Sequence, residues 1–83
     1  MNRLEVGKLY RGNYLGGHAG RVAECLRADA TYFCIFESDI VLVLAAIEHG
    51  GQIGSYKLLI GETVGELYID EFSYDVEWTE IKE

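Results

Sequence analysis

The chain has 83 residues, 49% of them apolar and ten of them aromatic, with fourteen acidic side chains against seven lysines and arginines for a formal net charge of −7. This length yields one domain, 1–83, near the size at which a single core is only just stable, and the composition is too apolar for a disordered chain. An acidic surface repels nucleic acid and attracts basic partners, so direct nucleic-acid binding is not expected.

Proline is absent and ten glycines punctuate the chain, so glycine supplies the sharp turns. The opening residues MNRLEVGK lack the apolar run of a secretory signal, which leads to the expectation of a cytoplasmic protein. VGKLYRGNYLGG, with Tyr10 and Tyr14 flanking Gly12, reads as a first strand followed by an open loop. GRVAECLRAD and TYFCIFES read as two strands joined by a tight turn at Asp29-Ala30. In the second, Tyr32, Cys34 and Phe36 face one way and Phe33 and Ile35 the other, which predicts a strand packed on both faces.

SDIVLVLAAIEHGG admits two readings. Ser38 can cap a helix ending at Gly50, giving a short helix around 39–49. Against it, Ile40, Val41 and Val43 are β-branched, and the run from Ile40 to Ile47 suits a buried strand, which is the favoured reading. At eight residues this run is far short of the roughly 20 needed to span a bilayer, so no membrane association is expected. HGGQ then turns the chain and SYKLLIG runs back, with further strands in GELYIDEF and YDVEWTEI. Short strands at intervals of about ten residues predict an all-β or mainly β protein, a small barrel of five to six strands.

The charge is unevenly placed. Residues 1–36 hold Arg3, Lys8, Arg11, Arg21 and Arg27 against three acids, whereas residues 62–83 hold eight acids against Lys82. Tyr68, Phe72, Tyr74 and Trp78 lie among Glu66, Asp70, Glu71, Asp75 and Glu77. Aromatic anchors ringed by charge are what protein-binding surfaces use, and these nine residues form the candidate protein-binding face. The competing reading is a solvated outer surface of ordinary strands.

Other chemistry finds less support. Ser38, Ser55, Ser73, Cys25 and Cys34 are candidate nucleophiles and His18 and His49 candidate bases, but no Gly-x-Ser-x-Gly elbow occurs, and no catalytic residue is assigned. His18, His49 and Glu48 have no metal-binding spacing, and DEFSYDVEWTE lacks the glycine of a calcium loop, so no metal or cofactor is expected. Cys25 and Cys34 read as buried thiols, a cross-strand disulfide being the alternative. Two loops look alike, YLGGHAG and EHGGQIG. The first is followed by Arg21 and is the candidate anion site, formed by Arg11, Gly16, Gly17, Gly20 and Arg21; the second has a carboxylate and no nearby cation, and reads as a turn.

VGKLYRG, GRVAECLRAD and the closing YDVEWTE together resemble short bacteriophage-encoded accessory proteins with a small Src-homology-3-like barrel. The resemblance covers Val6–Arg11, Gly20–Val22 and Tyr74–Trp78. It implies a phage or mobile-element origin, a place in the host cytoplasm, and a non-enzymatic role against a host defence or nucleic-acid-handling protein with a basic surface. Two alternatives remain open beside it. One is a sponge for an anionic small ligand such as a signalling nucleotide, with Tyr10 or Tyr14 stacking on the base, and the other is a homo-oligomeric structural protein.

Overall fold

A computed structural model describes residues 3–15, 20–69 and 76–82. The described residues form seven strands: β1 (Leu9–Tyr14), β2 (Arg21–Leu26), β3 (Tyr32–Phe36), β4 (Val41–His49), β5 (Gln52–Ile60), β6 (Thr63–Tyr68) and β7 (Val76–Glu80). They make one antiparallel sheet in the order β3-β2-β6-β5-β4-β1-β7. The expectation of a mainly β chain holds, but the barrel of five to six strands is replaced by seven strands in a curled sheet that does not close. The edges β3 and β7 remain unjoined.

The helical alternative over 39–49 is also overturned. Val41–His49 is β4, paired with β5 along its length and with β1 at Leu9↔Leu42 and Tyr10↔Val41. Val41 and Val43 enter the core while Leu42 faces outward, so the continuous apolar run serves both faces of one strand. On the outer face Leu9, Leu42, Leu59 and Val64 line up across β1, β4, β5 and β6.

Turn chemistry explains the hairpins. His49 pairs with Gln52 around Gly50 and Gly51, whose φ angles of +63° and +84° fit a type I′ turn matched to the twist of its strands. Between β2 and β3 the Ala30 amide donates to the Arg27 carbonyl, the Arg27 amide donates to the Thr31 carbonyl, and Ala30 sits at φ +68°. This is a three-residue hairpin loop with alanine in the left-handed position that glycine usually fills. Asp29 braces it by accepting from the Thr31 amide and hydroxyl, at 3.1 and 2.6 Å.

The sheet curls until the inner face of β1 meets that of β2. A Cβ on Gly12 would stand 2.5 Å from Cγ1 of Val22 and 3.0 Å from the Trp78 ring. The absence of a side chain there lets the two strands close over Trp78. Leu4, Tyr10, Val22, Cys25, Ile35, Val41, Val43, Tyr56, Leu58, Leu67, Val76 and Trp78 form the core. The segment before β1 seals one end: Leu4 is buried, its amide donates to the Tyr56 hydroxyl at 3.3 Å, and the Glu5 amide donates to the Tyr10 hydroxyl at 2.9 Å.

β3 is an edge strand and is not packed on both faces as its sequence suggests: Ile35 is buried, but Tyr32 and Phe36 are 65% and 48% exposed. Its outer rim is partly occupied. Arg27 donates to the Tyr32 carbonyl at 3.1 Å, and Asp39 takes both main-chain groups of Phe36, its carboxylate accepting the amide at 2.8 Å and its own amide donating to the carbonyl at 2.9 Å. These side chains limit the addition of a further strand. Cys25 lies in the core and Cys34 is half-buried; both are free thiols. Cys34 pairs with Glu24 and Cys25 with Phe33, which puts the two sulfurs on opposite faces and rules out the cross-strand disulfide in this structure.

Candidate functional site

β6 turns Gly65 and Leu67 inward and Val64, Glu66 and Tyr68 outward. The outward set is joined by its neighbours on both sides. Toward β2 and β3, Glu66 lies in one cross-strand row with Leu26 and Tyr32. Toward β5, Glu66 pairs with Lys57 and Tyr68 with Ser55. A carboxylate is thus placed between two exposed tyrosines, with half-buried Leu26 between Tyr32 and Glu66 as an apolar floor.

Hydrogen bonds hold Glu66. Ser55 is fully buried, and its hydroxyl donates to Oε2 of Glu66 at 2.5 Å. His49 Nε2 lies 3.4 Å from the same hydroxyl, its ring packed over Gly54 and 6.4 Å from the Tyr68 ring. The Glu66 charge beside it is the main cause raising the Tyr68 phenol above its ordinary value, with smaller contributions from desolvation, a hydrogen bond to Glu66 and the Tyr32 phenol. Both tyrosines therefore belong to one electrostatic neighbourhood centred on Glu66. The Ser55 proton is directed at the carboxylate instead of at His49, which is the geometry of a positioning hydrogen bond and not that of a serine activated by histidine.

The expected protein-binding residues divide into four groups. Glu66 and Tyr68 lie in this neighbourhood, Tyr68 being 44% exposed. Glu77 is exposed and points outward from β7, opposite Asn13. β7 is four strands from β6, about 19 Å along the sheet at the usual strand spacing, so Glu77 and Glu66 do not share a patch. Trp78 is corrected outright: at 3% exposure it is a core residue over Gly12 and cannot act as a surface anchor. Asp70, Glu71, Phe72, Tyr74 and Asp75 lie outside the described residues.

The expected anion site is not assembled among the described residues. Arg11 projects from the outer face of β1 and Arg21 from that of β2, and because the inner faces of these strands meet, the two guanidiniums leave on opposite sides. Arg21 is ion-paired with Glu24. Gly20, at φ +73°, uses its carbonyl to accept the Glu37 amide. Gly16, Gly17 and His18 lie outside the described residues. No group of three His, Cys, Asp or Glu that could hold a metal occurs among the described residues, and no helix among them is long and apolar enough to cross a membrane.

Tyr32, Leu26, Ser55 and His49 have no place in the binding face expected from sequence. The alternation of TYFCIF does put Tyr32 and Phe36 on one side, but only the pairing of β2 with both β3 and β6 brings Tyr32 to Glu66. No protein-family model, curated protein or solved structure matches this chain.

Proposed function

We propose that this chain is a non-enzymatic binding module that engages a partner protein with a basic surface through the outer face of β3, β2 and β6. The observation that carries this reading is the placement of Glu66 between exposed Tyr32 and Tyr68 on a face that also displays Phe36 and Val64. Exposed aromatic rings with a charged group among them supply both contact area and direction, and the excess of acids over the whole chain steers a basic partner toward it. The further reading as a phage or mobile-element accessory protein acting on a host defence or nucleic-acid-handling protein rests on the sequence resemblance alone.

The experiment is capture of partners from a bacterial host lysate at low and high salt. It compares the wild-type chain with Tyr32→Ala/Tyr68→Ala, with Asp70→Asn/Glu71→Gln/Asp75→Asn, and with an Arg11→Gln control. A specific partner lost at high salt and in the tyrosine variant, and kept by the control, supports the reading. A partner retained equally under all conditions counts against it.

A further inference from the structure

We propose that Glu66, Tyr68, Tyr32 and Leu26 form a receptor for one cationic side chain, an arginine of the partner in the first instance; this deepens the binding-module reading and rests on it. The long aliphatic stem of such a side chain fits an apolar floor, and its head requires a fixed counter-charge with aromatic surface beside it. The outer face offers both in that order: Leu26 lies in register between Tyr32 on β3 and Glu66 on β6. Tyr68 stands next to Glu66 on the same face.

The carboxylate is prepared for this task. The buried Ser55 hydroxyl fixes Oε2 of Glu66 at 2.5 Å, and the half-buried carboxylate stands next to Tyr68 on the outer face. A carboxylate whose orientation is already set loses less freedom when a guanidinium docks. Arginine suits the cup better than lysine because its planar, weakly hydrated head can bond a carboxylate and stack on tyrosine together. The chain's own charges are arranged consistently with an external ligand. Among the described residues Lys57 lies across from Glu66, Glu24 lies on the outer face of β2, His49 lies beside Ser55, and Arg27 donates to the Tyr32 carbonyl. Glu24 is engaged by Arg21, while Lys57, directly across from Glu66, makes no ion pair with it. Lys57 is therefore a repulsive neighbour that the incoming cation must tolerate, which gives the proposal an unusual sign test.

The test is NMR titration of the full chain at low salt with a capped Gly-Arg-Gly-Arg-Gly peptide, its lysine counterpart and its neutral citrulline counterpart. The arginine peptide should move the Tyr32, Tyr68 and Leu26 resonances saturably and the citrulline peptide should not. Glu66→Gln, which keeps an acceptor for Ser55, should weaken binding at least tenfold, and Lys57→Gln should tighten it several-fold. Binding unchanged by Glu66→Gln, with shifts elsewhere on the acidic surface, would overturn the receptor while leaving the binding-module reading intact. Lack of any arginine-peptide shift at millimolar concentration would also overturn it, and the lysate capture then decides separately whether the broader reading stands. A native amide spectrum for each variant shows that the comparison is made between folded proteins.

Discussion

Replacing Gly12 with alanine puts a methyl group where the structure has no room for one, and the cost can be worked out from three distances. The new Cβ would lie 2.5 Å from Cγ1 of Val22 and 3.0 and 3.2 Å from two carbons of Trp78, whereas carbon atoms pack best at about 3.5–4.0 Å. Val22 must therefore retreat by about 1 Å inside a close-packed core. Overpacking of this kind costs about 1–3 kcal/mol, offset by about 0.5–1 kcal/mol because alanine in a strand loses less backbone freedom on folding than glycine. The net expectation is a loss of about 1–2 kcal/mol. Val22→Ala alone removes two methyl groups from a buried site and should cost about 2 kcal/mol. If the two sites were independent, the double variant would lose about 3–4 kcal/mol by addition. In this structure the alanine methyl at position 12 moves into the space that Val22 vacates. The double variant, left with only the Trp78 contacts at 3.0 and 3.2 Å, should thus lose clearly less than the sum, a coupling of about 1 kcal/mol. Denaturant unfolding, read as a change in midpoint at constant slope, measures all three variants. Additive losses would refute the inference that β1 closes over β2, and with it the curl of the sheet.

Three further predictions test other elements. Burial, followed by the nearby Cys34, pushes the Cys25 thiol from its ordinary value of 9.0 up to about 12, so native Cys25 stays protonated where the unfolded chain ionises. The stability it confers is complete below about pH 9 and is lost as pH rises from there toward 12, and Cys25→Ser should flatten that part of the stability profile. Ala30→Gly should stabilise the chain by about 0.5–1 kcal/mol, since it relieves the left-handed alanine at φ +68° at some entropic cost, and a thermal midpoint that falls would contradict the turn assignment. Asp39→Ala removes the carboxylate that accepts the Phe36 amide at the β3 edge, while the amide of residue 39 still donates to the Phe36 carbonyl, and sedimentation should show more concentration-dependent self-association than wild type under the same conditions.

Most strands announce themselves in the sequence. VGKLYRGNY, RVAECL, YFCIF, GELY and VEWTE carry β-branched or aromatic residues, and HGGQ declares its turn through two adjacent glycines. Which strands become neighbours is not written in any one of them. β3 has apolar residues on both faces, as a doubly covered strand would, yet it lies at the edge with Tyr32 in solvent, because coverage depends on the sheet order and not on the strand itself. Trp78 misleads for a related reason. Its neighbours Glu77 and Thr79 are outward and polar, and a lone large ring among acids looks like an anchor until Gly12, sixty-six positions earlier, is seen to provide its seat. Glu66 and Tyr68 are legible as outward residues of one strand, whereas their meeting with Tyr32 and Ser55 depends on contacts between distant segments.

The two-sided apolar character of β4 has a consequence for how the chain finds its pairing. A one-residue slip sends each side chain to the opposite face, and most strands forbid this because it would bury charge and expose the core. In β4, Val41 and Val43 lie inside while Leu42, Ala45 and Ile47 lie outside, so a slipped strand would still place hydrocarbon on both faces. Hydrophobicity alone discriminates poorly between the native hairpin and its neighbour one step away. The choice falls to Gly50 and Gly51, whose paired positive φ angles fix where the strand reverses, and to the register shifts at Ile47/Glu48 and Val43/Ala45, which reset the pairing further along the hairpin. The glycine pair in EHGGQIG thus carries part of the register information that the apolar run of β4 does not.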